Sequence, residues 1–128
     1  MVGEIIYTEK APKPVAPYSQ AIRCGKFLFI SGQLGIDPNT GKLVEGGFEE
    51  QARKIFQNIG AILEAAGYKF NDVVKVNIYL KSSEYFKILN RVYEEFFTET
   101  KPTRTTIIAP PPIDEALIEI DLIAYRDD

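Results

Sequence analysis

Two residues of opposite charge, each set in β-forming sequence, are the best placed in this chain to do chemistry. Arg104 lies in Lys101-Pro102-Thr103-Arg104-Thr105-Thr106, and Glu119 follows fifteen residues later, flanked by Leu117, Ile118 and Ile120. A guanidinium is a rigid planar fork of donors that matches a carboxylate or phosphate, and a carboxylate among apolar neighbours needs a partner or a task. Arg104 can read an acid and Glu119 can move a proton. The residues alone leave other readings open: a strand arginine that only closes an ion pair, and a glutamate that only pairs with a cation across an interface.

Composition narrows the chemistry further. The 128 residues include no histidine, no tryptophan and one cysteine. Zinc sites built on His/Cys clusters, Ser-His-Asp and Cys-His nucleophiles and internal disulfides are thereby excluded. Asp, Glu, Lys, Arg, Tyr, Ser, Thr and backbone amides remain. Cys24 is expected as a small core residue rather than a nucleophile. The unpaired cysteine and the lack of an N-terminal apolar segment lead to the expectation of a cytoplasmic protein without secretion signal or membrane anchor. A net charge of −3, a pI near 5.1 and dispersed basic residues give no footprint for nucleic acid. The length fits one domain, residues 1–128, with one core.

The elements that must position Arg104 and Glu119 follow from pattern and punctuation. Residues 4–8 read as a first strand, and 10–17 as a loop whose prolines forbid regular pairing. Residues 20–24 and 27–34, joined at Gly25-Lys26, read as a hairpin, and Asp37-Pro38-Asn39-Thr40-Gly41 as a turn. Ala52, Ile55, Phe56, Ile59, Ile62, Leu63 and Ala66 recur at helical spacing over 48–66, with Gly67 as C-terminal cap. Residues 73–80 read as a strand. Ser82 is expected to cap a second helix over 83–97 with Phe86, Leu89, Val92, Tyr93 and Phe96 as its stripe. Residues 104–109 and 116–125 read as the last two strands, on either side of the triple proline at 110–112.

Two helices can cover only one face of such a sheet. On the last strand Ile118, Ile120, Leu122 and Ala124 form the face suited to the helices, with Leu117, Glu119, Asp121, Ile123 and Tyr125 opposite. Alternation likewise sets Leu28 and Ile30 against Phe27, Phe29, Ser31 and Gln33, and Val74, Val76, Ile78 and Leu80 against Val73, Lys75, Asn77 and Tyr79. A half-apolar, aromatic-rich second face without helices to cover it is what an oligomer interface looks like in sequence. Self-association is expected, with active groups near the seams.

Five blocks, Pro17-Tyr18-Ser19-Gln20-Ala21, Phe29-Ile30-Ser31-Gly32-Gln33, the stretch from Asn90 to Phe97, Pro102-Thr103-Arg104-Thr105-Thr106 and Ile118-Glu119-Ile120, together resemble the reactive intermediate deaminase (Rid, YjgF-like) family. The resemblance runs from about residue 6 to 124. It implies a chorismate-mutase-like α+β fold, a six-stranded mixed sheet with two helices on one face. It also implies a homotrimer with sheets inward and three clefts between subunits. The implied activity is hydrolysis of enamine/imine acids such as 2-aminoacrylate and 2-iminobutanoate to 2-oxo acids and ammonia, with no cofactor, neither pyridoxal phosphate nor a metal. Arg104 then matches the carboxylate-binding arginine and Glu119 the acid that positions or activates water. Tyr18, Ser31, Gly32 and Asn90 match other residues around the cleft, and Thr106 stands where many members carry cysteine, a position that contributes mainly its backbone amide.

The residues by themselves also allow Tyr18 as a packing residue, Ser31-Gly32 as a bulge or subunit contact, and Asn90 as a structural hydrogen-bonding group. Two further functions stay open: a non-catalytic trimer that binds small carboxylates or regulates a partner, and a ribonuclease or translation inhibitor. The acidic balance counts against the last.

Overall fold

The computed structural model describes residues 3–127. The elements run β1 (Glu4–Ile6), β2 (Ala21–Cys24), β3 (Phe27–Gln33), β4 (Ile36–Asp37), β5 (Lys42–Leu43), α1 (Phe48–Ala66), β6 (Val73–Leu80), α2 (Phe86–Phe96), β7 (Thr103–Ile108) and β8 (Ile118–Tyr125). Six strands form one mixed sheet in the order β1-β2-β3-β8-β6-β7. Only β6 and β7 are parallel, joined by the α2 crossover. The small β4-β5 hairpin, beyond the expected six strands, closes around the Asp37–Gly41 turn. The two helices lie on one face, as the α+β reading expects.

α1 covers that face with the apolar stripe expected from spacing: Ala52, Ile55, Phe56, Ile59, Ile62, Leu63 and Ala66 are all buried. It ends where Gly67 takes a left-handed conformation (φ 84°). The N–H groups of Gly67 and Tyr68 there close on the carbonyls of Glu64 and Leu63. Ser82 accepts the N–H of Glu84, but the turn it caps is a short 3-10 segment at 83–85, and α2 proper starts at Phe86. Phe56 joins the two helices, stacking on Phe96 at 4.8 Å and meeting Tyr93 and Phe97 edge-on at 6.0 Å each. Truncating a core aromatic of this kind costs about 3–5 kcal/mol. Its packing also fixes where Tyr93 stands. No helix among the described residues is long and apolar enough to cross a membrane.

Four expectations about faces are corrected. Between Ile30 and Gln33 the pairing with β8 shifts by one residue, so Gln33 turns to the helix side and is 5% exposed. A second irregularity, between Val73 and Lys75, exchanges the two valines: Val73 is 3% exposed beside Ala124 and Val74 is 43% exposed. One inserted residue inverts the alternation on its far side. Cys24, expected in the core, is only half-buried on β2. Leu117, expected on the bare face, lies ahead of β8 and packs in part against the core. Phe27 and Phe29 are 43% and 44% exposed, and Phe27 packs on Tyr125 with ring centres 4.9 Å apart.

Candidate functional site

Arg104 is held by its own strand and by α2. In the parallel pairing Arg104 lies beside Val76 and Thr106 beside Ile78, so both side chains leave the sheet on the helix side. There the Arg104 Nε–H donates to Thr106 Oγ1 at 2.8 Å, and Nη2 donates to Asn90 Oδ1 at 2.8 Å. The guanidinium carbon stands 4.8 Å from the centre of the Tyr93 ring and 5.6 Å from that of Phe86, within cation–π reach of both. Phe86, Asn90 and Tyr93 follow one another at i, i+4 and i+7, so a single stripe of α2 supplies the whole cradle. Two of the five N–H donors are engaged within the chain. Three remain, both of those on Nη1 included, enough for a two-point grip on an anion. Burial draws the Arg104 pKa down, opposed by Tyr93. An arginine starts so high that it stays a cation.

Glu119 stands in a different setting. It is the cross-strand partner of Tyr79 on the bare face, and the irregular stretch of β3 brings Gly32 up against it. A Cβ at position 32 would lie 2.0 Å from Glu119 Oε2, so a side chain there would push the carboxylate out of its present position. The neighbouring Ser31 is fixed by its N–H to the Gln20 carbonyl (3.0 Å) and its hydroxyl to the Ser19 carbonyl (2.6 Å). The proline-rich loop before it is tied down by the buried Gln20. Its side chain accepts from the Thr8 N–H at 2.8 Å and donates to the carbonyls of Thr8 and Pro12 at 3.0 Å each. A loop that cannot pair as a strand thus has its backbone groups satisfied by one amide. Tyr18, at the end of that loop, is half-exposed. It lines an open groove of about 590 Å³ with Ser31, Ile22 and Phe29, and a more enclosed apolar hollow of about 240 Å³ with Gly32, Val15 and Ile113.

No described residue donates a hydrogen bond or closes an ion pair to the Glu119 carboxylate. Burial pushes its pKa above the usual carboxylate range, and the negative charge of Asp121 adds to the rise. Asp121 itself is well partnered, accepting from Asn77 Nδ2 at 2.8 Å and from the Tyr79 hydroxyl at 2.9 Å.

The residues singled out from sequence therefore fall into two groups. Arg104, Asn90 and Thr106 meet on the helix side of edge strand β7. Glu119, Gly32, Ser31 and Tyr18 gather on and beside the bare face, around β3 and β8. Arg104 and Glu119 are not brought together within one chain, because β6 lies between their strands and their side chains leave by opposite faces. Sequence reasoning missed the aromatic cradle, having given Phe86 and Tyr93 to the core stripe. The i, i+4, i+7 relation of both to Asn90 was the available signal. It also missed the Asn77-Tyr79-Asp121 cluster, which only the β6-β8 register reveals.

A bare-faced six-stranded sheet under two helices, with Arg104 and Glu119 on opposite sides, defines a YjgF-type α+β protomer. The family described as endoribonuclease L-PSP matches residues 8–126. A RutC family protein of Pyrococcus horikoshii is 52% identical over 97% of this chain and 98% of its own length. The mouse 2-iminobutanoate/2-iminopropanoate deaminase is 38% identical over 98% and 93%. The crystal structure of RidA from Psychrobacter sp. superimposes with a TM-score of 0.92 at 43% identity, covering 96% of this chain and 99% of that one. That of E. coli TdcF with bound serine does so with a TM-score of 0.91 at 34% identity, covering 97% and 99%. The chain belongs to this L-PSP family, the YjgF/Rid proteins.

Proposed function

We propose that this protein is a homotrimeric deaminase that hydrolyses 2-enamine/2-imino acids, 2-aminoacrylate and 2-iminobutanoate among them, to 2-oxo acids and ammonia. One observation carries the reading: a pre-set guanidinium and a carboxyl to which no described residue donates sit on opposite faces of a protomer whose carboxyl-bearing face is uncovered. Packing three such faces around an axis brings the Arg104 edge of one copy to the Glu119 face of the next, so each cleft draws on two chains. The mouse relative's name, 2-iminobutanoate/2-iminopropanoate deaminase, and the serine bound by TdcF support small amino-acid-derived ligands.

The chemistry needs only these groups. An enamine first gains a proton at its β carbon to become the imine. Arg104 holds the substrate carboxylate while Asn90, Thr106 and the two rings hold Arg104. Water attacks the imine carbon of the protonated imine, and Glu119 takes a proton from it. The carbinolamine nitrogen then receives that proton, and as the C–N bond breaks Glu119 takes the hydroxyl proton, so that the oxo group forms and ammonia leaves, picking the proton up as ammonium. Water is consumed and no covalent enzyme intermediate is required. Imines hydrolyse unaided, so a general acid/base contribution on the order of 10²- to 10⁴-fold is useful protection. A binding-only trimer would use Arg104 in the same way and would have no use for a proton carrier at Glu119. The net charge of −3 weighs against RNA as substrate.

The test couples the protein to a threonine or serine dehydratase and follows oxo-acid release. Wild type is expected to accelerate release, and unchanged kinetics across several precursors would reject the deaminase. The shared cleft is tested by co-refolding Arg104→Lys with Glu119→Gln in equal amounts. Clefts between two chains would recover about a quarter of wild-type activity by random assortment, whereas clefts within one chain would recover none.

A further inference from the structure

Two carboxylates, Glu119 and Asp121, share the bare face of β8 two residues apart, and their surroundings differ in every respect that matters for a proton. Asn77 lies opposite Asp121, and Tyr79 lies opposite Glu119. Yet the Tyr79 hydroxyl reaches diagonally past Glu119 to Asp121 Oδ2 at 2.9 Å, while Asn77 Nδ2 takes Oδ1 at 2.8 Å. Each oxygen of Asp121 thus has its own donor. Glu119, whose cross-strand phenol is committed elsewhere, receives a hydrogen bond from no described residue. Of two neighbouring carboxyls, the one without donors is the one left free to gain and lose a proton.

We propose that Asp121, locked by Asn77 and Tyr79, is a positioning residue that makes Glu119 the proton carrier of the site: it withdraws the Tyr79 hydroxyl from Glu119 and stands beside it as a fixed negative charge. This rests on the deaminase reading for its catalytic consequence but not for its electrostatics. Within the protomer, among the described residues, β3 brings Ser31 and Gly32 to Glu119, β6 the Tyr79 ring and β8 Asp121, while Tyr18 and Lys13 line the hollow that Gly32 shares. In the proposed assembly the Arg104 edge of the next copy also meets this face, alike in wild type and in the Asp121 variants. Burial raises the Glu119 pKa first and the negative charge of Asp121 adds to it, while the Tyr79 phenol is itself pushed up, first by its bond to Asp121.

The experiment titrates Glu119 directly, by carbon NMR of carboxyl-labelled glutamate assigned with Glu119→Gln, in the assembled protein without substrate. Asp121→Asn, and Asp121→Ser as a second variant in case the first does not fold, should lower the Glu119 pKa by roughly 0.5–1.5 pH units, the size expected for a like charge about 7 Å away. The limb of the kcat/KM profile that disappears in Glu119→Gln should move to lower pH by the same amount. An unmoved Glu119 titration in either folded variant overturns the proposal, whatever the activity. A moved titration in a protein without deaminase activity would uphold the device and reject the deaminase reading instead.

Discussion

The Arg104 cradle and the Glu119 face differ less in exposure than in how they are wired. Arg104 has its Nε and Nη2 engaged and two aromatic rings of one helix stripe within cation–π reach. Glu119 has a glycine against it, a tyrosine bonded elsewhere and no donor among the described residues. A group that must hold an anion in one orientation gains from every contact that removes its freedom. A group that must gain and lose a proton would be disabled by contacts that favour one state. The contrast teaches which residue is built to hold still and which is left free, and the proposed function gives the first the part of clamp and the second the part of proton carrier.

The largest effect should come from keeping the halves apart. Ile123 lies on the bare face beside Phe29, so Ile123→Glu places a charge in the proposed subunit contact without touching the protomer core. Light scattering should show loss of the trimer, and deaminase activity should fall to background with it. A monodisperse wild-type monomer, or an active monomeric variant, would end the shared-cleft account.

Within an intact assembly the halves should fail differently. Glu119→Gln keeps shape but not the proton acceptor, so turnover should drop on the order of 10²- to 10⁴-fold while calorimetry still detects 2-oxobutanoate. Arg104→Lys should lose both binding and turnover, by about 10²-fold in kcat/KM, since an ammonium cannot span Thr106, Asn90 and a carboxylate together. Full turnover by the Gln variant would assign Glu119 to structure and dissolve the contrast.

How much of this was legible beforehand depends on the period of the signal. The α1 stripe and its Gly67 cap, the β8 faces and the bare aromatic side could be read because regular periodicity carries them. The faces failed at Gln33 and Val73, where a single extra residue inverts a period of two and leaves no mark in composition. Arg104 stood out as a cation in β-forming sequence and Glu119 as a carboxylate in an apolar strand. That they leave by opposite faces was hidden, because it depends on the registers that set Arg104 beside Val76 and Glu119 beside Tyr79. Phe86 and Tyr93 were legible as hydrophobic but not as a cradle, since a helix stripe gives the same pattern against a core or a cation. Tyr93 is 7% exposed and serves both.

A smaller effect separates the halves by the sign of their contribution to stability. The folded-state pKa of Glu119 is raised, first by burial, so the native state favours its proton. That stability is present below the unfolded value near 4.3 and is lost as pH rises through the folded one. Glu119→Gln should therefore melt higher than wild type at pH 7, on the order of a degree or two, with the difference vanishing at pH 4. Arg104→Ala removes two hydrogen bonds and two ring contacts and should melt lower at both pH values. Thermal unfolding of the three proteins checks both signs, and a stabilised Arg104→Ala would mean that the cradle is strained rather than supportive.

The smallest effect belongs to Thr106. Its hydroxyl does nothing to a substrate in this account; it accepts the Arg104 Nε–H at 2.8 Å and so sets the roll of the guanidinium plane. Thr106→Val keeps the branched shape on β7 and removes the acceptor, leaving an Nε–H that water at the sheet edge can still reach. Losing one such bond is worth about 1 kcal/mol, or roughly fivefold. Because the clamp grips the carboxylate alike in the ground state and in the transition state, the loss should appear as a raised KM with kcat nearly unchanged. Thr106→Ser should restore the wild-type value. A fall in kcat instead would place the hydroxyl among the groups that meet the reacting atoms, and the clamp would then share the work assigned to Glu119.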